Sequence, residues 1–304
     1  GCVIVADISI KEITRKIEEL PTPDFIVQRI VSIASSPNAS TKELNMAILE
    51  SPSMAAKILK MANSAYYAMP RRITKLSQAI NILGFRSVRN LALSVFTAKS
   101  FFSREFEYFN TKKVWSHFMA TAISCELLSK FINFPDREEA FLCGMLHDLG
   151  KMAMSIVMPD VFEMIVTVAK HKKISFSKAE ELLETYSHQQ IGRMLFENWQ
   201  MSEIMIASAT FHDSPSLCKS EDSRTIVNLV SVANTTVNIL LYGYSGCFDI
   251  PAVSDEAWNN LGLTPRKYLN YFENLKIKIK ESEDFMNLSN VLDDLQEGEL
   301  DGTV

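Results

Sequence analysis

Signals that begin α-helices recur at short intervals through the first hundred residues, and they restrict the fold more than any other feature. The first is "TPDFIVQRIVSIA", in which Thr22 is suited to cap a helix and Pro23 to occupy its first position. An apolar stripe with helical spacing follows at Ile26, Ile30 and Ile33. The segment therefore predicts an amphipathic helix that begins at about residue 23.

Two more helix starts come directly after this one. In "SPNASTKELNMAILE", Ser40 and Glu43 have the spacing of a capping box. In "SPSMAAKILKMANSAYY", Ser51 precedes Pro52, which repeats the arrangement of a capping residue before a proline. The second of these helices is predicted to bury Met54, Ile58 and Met61.

The helices of this region also end at recognisable residues. In "ANSAYY", Asn63 and Ser64 are predicted to be structural, because such side chains commonly satisfy the loose backbone groups at a helix end. "TKLSQAINILG" predicts a helix from Thr74 to Gly84 with a left-handed C-cap at the glycine. Another helix is expected over about 87–101.

The alternation of apolar and polar residues that marks strands is scarce, so the chain is predicted to be all-α. Five short helices fill about the first 105 residues, and longer helices continue to about residue 290. We expect a small N-terminal helical bundle (1–110) packed on a larger helical bundle (111–290). An acidic and disordered tail (291–304) is expected to follow.

Composition excludes several classes of function. The 304 residues are 47% hydrophobic, carry a formal charge of -5 and have a pI of about 5.7, so there is no global basic field for nucleic acid or anionic lipid. No apolar run approaches the ~20 residues that cross a bilayer, and no signal peptide is evident. The cysteines are scattered, without a CxxC pair, at Cys2, Cys125, Cys143, Cys218 and Cys247. These features indicate a cytoplasmic protein with no membrane partner.

The segment "FLCGMLHDLGKMAM" places His147, Asp148 and Lys151 within an apolar helical pattern. On one continuous helix His147 would share a face with Lys151 and with three small residues, Ala140, Cys143 and Gly144. Small residues allow a neighbouring helix to approach closely, so His147 is predicted to face protein. Buried charged residues need partners, and an adjacent His-Asp pair can supply two ligands to a metal ion.

The remaining histidines extend this set. His117, His188 and His212 also lie on helices with apolar patterns, and Asp213 follows the last of them, whereas His171 lies in the polar run "KHKK". A single histidine on an apolar face is more often a hydrogen-bonded core residue than a ligand. Four inward histidines and two aspartates could nevertheless form one metal site.

Three segments of the chain resemble the HDOD domain, a family related to the HD-type metal phosphohydrolases. They are "LPTP" (Leu20 to Pro23), "SPSMAAKILKMANSAYY", with Ser51 where aspartate is usual, and "ITKLSQAINILG" (Ile73 to Gly84). The resemblance extends to about Leu241. It implies that the larger bundle is HD-like and that the protein is a regulatory output or scaffold module in bacterial signalling.

The resemblance also implies a set of metal ligands. The HD pattern of a histidine, an HD pair and a late aspartate corresponds to His117, His147, Asp148 and Asn234. His188 and His212 resemble further histidines of HD-GYP phosphodiesterases, and Lys151 corresponds to a lysine that lies near substrate phosphate in active relatives. Several imidazoles beside a carboxylate favour one transition-metal ion, iron, zinc or manganese.

Two departures from the active relatives argue against catalysis. An amide at Asn234 removes an anionic ligand, which weakens a second ion and the activation of bound water. The sequence "HDSPSLCKS" stands where the GYP signature should be. The favoured hypothesis is a stand-alone signalling adaptor with an unidentified signalling protein as its partner. The alternative is a metal-dependent phosphohydrolase that acts on a nucleotide or cyclic dinucleotide, with Lys151 as a catalytic residue.

A third hypothesis is nucleic-acid binding, because "LSQAINILGFRSVRNLALS" has the pattern of a helix, a tight turn and a helix. Basic residues cluster around it at Arg71, Arg72, Lys75, Arg86 and Arg89. The second helix is mostly apolar, whereas a DNA-reading helix needs an exposed polar face. Nucleic acid is therefore not the expected partner, and the basic residues are interpreted as a solvated face or a contact with an acidic partner.

Overall fold

The computed structural model describes residues 8–102, 104–250 and 252–286. The regular elements of this part of the chain are all helices, and it contains no β-strand, only one isolated antiparallel bridge between Phe106 and Phe109. The all-α prediction is confirmed.

The first six helices are α1 (Ile10–Glu18), α2 (Phe25–Ser35), α3 (Thr41–Leu49), α4 (Pro52–Ala62), α5 (Leu76–Leu83) and α6 (Phe85–Phe101). The next six are α7 (Thr111–Phe131), α8 (Arg137–Leu146), α9 (Leu149–Val157), α10 (Pro159–Lys172), α11 (Phe176–Leu182) and α12 (His188–Asn198). The last five are α13 (Glu203–Phe211), α14 (Glu221–Ile239), α15 (Asp255–Asn260), α16 (Pro265–Glu281) and α17 (Glu283–Met286).

The chain divides into two compact units. Among the described residues, the larger unit comprises 8–21 and 104–276, and the smaller unit comprises 22–102 and 277–286. The predicted boundary at residue 110 placed α1 in the first bundle, whereas in the structure α1 packs against α9 and α12 of the larger unit. The predicted tail, 291–304, lies outside the described residues.

In the smaller unit α2 and α4 both pack against α6. The helix α2 begins two residues later than the sequence predicted, because Asp24 is its N-cap and its carboxylate accepts a hydrogen bond from the amide of Val27 at 2.9 Å. The prediction of Thr22 as the cap was therefore wrong. The fully buried positions of α2 also differ from the predicted stripe, since only Ile30 of that stripe is fully buried.

The helix α5 begins at Leu76 with Lys75 as its N-cap, so the predicted start at Thr74 was wrong, and α6 begins at Phe85, two residues before its expected start. Two other helix starts of this unit agree with their sequence signals. Ser40 and Glu43 form both hydrogen bonds of a capping box, and Ser51 caps α4 ahead of Pro52. Gly84 ends α5 with a positive φ of 86°, as predicted, but its ψ of 162° is extended instead of left-handed helical. That conformation lets α6 begin at the next residue without a linker.

Asn63, the C-cap of α4, ties the end of its helix to the following loop. Its side-chain amide donates to the carbonyls of Leu59 and Ile73 at 2.9 and 2.8 Å, and its carbonyl accepts from the amide of Ile73 at 2.7 Å. Ser64 makes one bond of this kind, to the carbonyl of Met61 at 2.6 Å. Both residues are structural, as the sequence predicted.

We expect Asn63→Ala to lower the stability of the smaller unit by about 2 kcal/mol, because three hydrogen bonds are lost and the backbone groups of the buried residue Ile73 lose the side chain that they bond. Ser64→Ala removes a single bond and should lower stability by less than about 1 kcal/mol. Thermal denaturation followed by circular dichroism compares the two variants. Equal melting temperatures for Asn63→Ala and the unmodified protein would contradict this role.

The larger unit is built around α7, which packs against α8 and α14, while α12 packs against α9 and α13. Gly144 on α8 makes the first contact tight, since a Cβ there would lie 2.6 Å from Cys125 Sγ on α7. One described segment, Arg137–Val157, is long and apolar enough to cross a membrane by length and composition. Of its most apolar window 94% is buried within the protein, as expected of core helices.

Candidate metal centre

The centre begins at a break between two helices. The sequence predicted that His147 and Asp148 lie inside one helix, but α8 ends at Leu146 and α9 begins at Leu149. His147 is the C-cap of the first helix and Asp148 the N-cap of the second. The prediction of a continuous helix was wrong, and both side chains of the pair project from a buried corner.

Backbone carbonyls fix the orientation of two imidazole rings. His147 Nδ1 donates to the carbonyl of Gly144 at 2.6 Å, and His212 Nδ1 donates to the carbonyls of Ser208 and Ala209 at 3.0 and 3.1 Å. A carbonyl can only accept, so Nδ1 carries the proton in both rings. The Nε2 atom of each ring is buried without a hydrogen-bond partner.

A carboxylate fixes the third ring. Glu180, itself buried, accepts from the backbone amide of His188 at 2.6 Å and from Nδ1 of the same residue at 3.0 and 3.1 Å. This double contact holds the first residue of α12 in place and turns Nε2 of His188 toward the corner. Imidazole ligands of metal ions are commonly oriented by carboxylates and carbonyls in this way.

Three imidazole Nε2 atoms converge on Asp148. Its Oδ1 lies 3.2 Å from Nε2 of His212 and 3.3 Å from Nε2 of His188, while Oδ2 lies 3.4 Å from Nε2 of His147. All four side chains are at most 1% exposed, and neither Oδ1 nor the three nitrogens has a hydrogen-bond partner. Acceptor atoms at this separation repel one another unless a cation, either a proton or a metal ion, lies between them.

His117 belongs to a second possible group of metal ligands at the centre. Together with His147 and Asp148 it forms one possible ligand group, and Asp148 with His188 and His212 forms another. His117 Nε2 lies 2.9 Å from Oδ1 of Asn234, the amide at the position of the late aspartate. Asp148 thus belongs to both groups.

The remaining predicted site residues are close by. Asp213 lies 3.6 Å from Nε2 of both His188 and His212, and its side chain is 30% exposed. Its Oδ2 also accepts from Ser177 and Gln189. The structure therefore brings all seven predicted ligand positions together, although their ligation of a metal stays a prediction.

The buried charges shift the protonation of the centre. Burial lowers the pKa of His117, and the neighbouring His147 adds to the effect, so the value falls to about 3. Burial would raise the pKa of Asp148, but the Lys151 ammonium and His147 hold it well below its usual range. Burial would lower the pKa of His188, but the Glu180 carboxylate raises it to about 10. A metal ion would have to displace the second proton of His188 in order to bind its Nε2 atom.

Lys151 is fixed on the far side of Asp148. Its ammonium donates to Oδ2 of Asp148 at 2.7 Å and to the carbonyl of Ser245 at 3.0 Å, and its side chain is 4% exposed. It also lies 5.2 Å from the ring centroid of Phe176. The resemblance implied a lysine near substrate phosphate, whereas this lysine is occupied by the protein itself.

Glycine allows two chain segments to approach the centre closely. A Cβ at Gly150 would lie 1.9 Å from the carbonyl oxygen of His188. The backbones of α9 and α12 are therefore in direct contact next to the candidate ligands Asp148 and His188. Gly243, with φ of 69°, sets the loop after α14 against the backbone of His117 on α7. Close packing of the backbone therefore fixes the positions of His188 and His117, two of the candidate metal ligands.

A cavity of about 690 Å³ reaches the centre from outside. Its wall includes His212, Asp213 and Asn234, together with Arg193, Cys247 and many serine, threonine and glutamine side chains. A small polar ligand in this cavity could therefore approach the buried cluster around Asp148 from the side of Asp213.

Sequence reasoning missed two residues of the centre. Glu180 is one of three acidic residues in "KAEELLE", and only its spacing of eight residues before His188 distinguishes it in the sequence. Ser245 contributes a backbone carbonyl to Lys151 from 94 residues away, and a backbone group leaves no signal in the sequence.

The family of the chain emerges from comparison with known proteins. The model of a family described as "HDOD domain" matches residues 20–215. A curated relative from Treponema pallidum (strain Nichols), an "Uncharacterized protein", is 23% identical over 227 residues, which cover 74% of this chain and 42% of the relative. The chain thus spans about two-fifths of the length of that relative.

Three solved structures share the fold. An HDOD domain protein of unknown function from Geobacter sulfurreducens has a TM-score of 0.73 at 21% identity, with 92% of this chain and 98% of that chain covered. A "Putative signal transduction protein" from Marinobacter aquaeolei VT8 has a TM-score of 0.75 at 20% identity, with 95% and 67% covered. A "Putative phosphohydrolase" from Shewanella amazonensis SB2B has a TM-score of 0.67 at 20% identity, with 92% and 97% covered.

Proposed function

Because the chain belongs to the HDOD domain family, we propose that it is a signal-transduction adaptor whose HD-like unit holds one structural transition-metal ion. The observation that supports the metal is the convergence of three buried Nε2 atoms on Asp148 without hydrogen bonds. Imidazole nitrogens beside one carboxylate are the donor set of iron, zinc or manganese.

The ion would be held by His147, Asp148, His188 and His212, with His117 and Asp213 close enough to complete its ligands. When bound, it would supply the positive charge that the converging acceptors require. It would also join the helix break between α8 and α9 to the start of α12 and the end of α13. A metal in this position would stabilise the larger unit and fix the relative positions of its helices.

Two features support a regulatory role over catalysis. Asn234 accepts from His117 Nε2 and from the amide of Asn238, and as a neutral amide it adds no charge for a second ion. Lys151 is bonded to Asp148 and to the carbonyl of Ser245, so its ammonium is committed within the protein. A signal would then reach the adaptor through a protein partner, or through a small ligand in the cavity beside Asp213.

The second candidate function is hydrolysis of a nucleotide or cyclic dinucleotide. The observation that favours it is the cavity of about 690 Å³, which is large enough for a nucleotide and contains His212 and Asp213 in its wall. The name of the Shewanella amazonensis structure, "Putative phosphohydrolase", points the same way. In this alternative the Asp213 edge of the centre would face the phosphate.

Metal content and hydrolysis should be measured on the same preparation. We expect about one iron, zinc or manganese ion per chain after purification without chelator, and no nucleotide turnover above that of chelator-treated protein. The assay is elemental analysis alongside a panel of nucleotides and cyclic dinucleotides with added manganese or iron. Full metal content with rapid cleavage would make the enzyme alternative correct. A protein without metal, and with unchanged stability after metal addition, would refute the structural ion.

A further inference from the structure

A groove in the smaller unit carries a basic rim over an apolar floor. Its cavity of about 980 Å³ lies between α4 and the loop that follows it. Lys60, Arg71 and Arg72 line it and are exposed, and Leu59 and Met69 contribute half-buried apolar surface. No aspartate or glutamate is among the residues that line this groove.

In the stretch of sequence that contains the groove, every charged side chain is positive. Residues 51–103 contain eight lysines and arginines and no aspartate or glutamate, although the whole chain has a net charge of -5. The opposite bias appears at 287–304, where five acidic residues occur without a lysine or arginine, at Asp293, Asp294, Glu297, Glu299 and Asp301. Three leucines, Leu292, Leu295 and Leu300, lie among these acids and could contact the apolar floor of the groove.

The described chain ends beside the groove. The helix α17, Glu283–Met286, packs against the short 3₁₀ helix Ala65–Tyr67, where Phe285 stacks on Tyr66 with ring centroids 4.5 Å apart. The ring of Phe285 is also 5.9 Å from that of Tyr67, and Met69, which lines the groove, is only two residues further on. An extended chain covers about 3.3 Å per residue, so Asp293 can lie up to about 23 Å from Met286.

We propose that the groove is a binding site for acidic, leucine-containing peptide segments and that its resident ligand is residues 287–304 of the same chain. Attachment at Met286 gives the segment an effective concentration on the order of millimolar, so weak individual contacts suffice. The carboxylates would lie against Lys60, Arg71 and Arg72 and the leucines against the apolar floor. An acidic partner would have to displace the segment, which makes the groove self-regulated and independent of the metal centre.

Zero-length carbodiimide cross-linking of the full chain tests this proposal, because it joins a lysine amine only to a carboxylate in direct contact. We expect amide links from Lys60 to residues 293–301 at least fivefold above those from Lys42, an exposed lysine of the same unit. The yield should fall at least fivefold in Arg71→Ser/Arg72→Ser, which keeps Lys60, and again on raising the salt from 20 to about 500 mM. Links spread equally over Lys42 and Lys60 would overturn the proposal.

A competition experiment identifies the occupant. In a variant with all five acids of 287–304 changed to their amides, a fluorescent peptide of residues 287–304 should bind at least tenfold more tightly than to the unmodified chain. Cross-links that join isotopically light to heavy chains would overturn binding within one chain in favour of a second copy. Displacement of the peptide by duplex DNA, without displacement by unlabelled peptide, would overturn the peptide site in favour of nucleic acid.

Discussion

Gly150→Ala should unfold or severely destabilise the larger unit. A Cβ at this position would lie 1.9 Å from the carbonyl oxygen of His188 and 2.8 Å from the amide nitrogen of Gly192, and both are backbone atoms that cannot rotate away. The helices α9 and α12 would have to separate by more than 1 Å along a fully packed contact. We expect a loss of at least about 3 kcal/mol, measured by chemical denaturation followed by circular dichroism.

Gly192→Ala is the matched control, because it places the same methyl group on the opposite side of the same contact. Its Cβ would lie 3.5 Å from Gly150 and 3.6 Å from Ala209, which is ordinary van der Waals contact. Alanine also favours the helical conformation over glycine by about 1 kcal/mol. We therefore expect unchanged or slightly higher stability, and equal losses in the two variants would show that the close approach is not the cause.

Most of the fold could be predicted because its signals are local. The side chains of Ser40 and Ser51 accept hydrogen bonds from backbone amides three residues later, and both helix starts appear in the structure as predicted. The error at Thr22 has the same origin, since Asp24 offers a competing cap two residues later. Local patterns identify a helix start reliably and its first residue less so.

The candidate centre was predictable in its residues and unpredictable in its geometry. The histidines and Asp148 are rare polar residues in apolar patterns, so the sequence marks them. The break between His147 and Asp148 leaves no mark, because apolar residues continue on both sides and neither glycine nor proline intervenes. Contacts that close the site, from Glu180 to His188 and from Ser245 to Lys151, depend on tertiary packing.

Asp148→Ala should abolish metal binding and also destabilise the protein. Asp148 is the carboxylate that belongs to both possible ligand groups. Because this variant removes it, we expect metal content to fall at least tenfold in elemental analysis. Among the described residues, the buried ammonium of Lys151 would keep a single hydrogen bond, to the carbonyl of Ser245. Removing one member of a buried ion pair typically destabilises a protein by about 3–5 kcal/mol, so stability alone cannot report on the metal in this variant.

The double variant Asp148→Ala/Lys151→Met separates these two effects. Methionine fills a similar volume without a charge, so the stranded ammonium is gone and most of the pair-breaking loss should be recovered. Metal content should stay as low as in Asp148→Ala. Added iron, zinc or manganese should raise the melting temperature of the unmodified protein but not that of the double variant. His171→Ala, which alters an exposed histidine outside the cluster, should leave both metal content and stability unchanged. If the unmodified protein and the double variant contain equally little metal and respond equally to added ions, the four histidines are core residues and the site is vestigial.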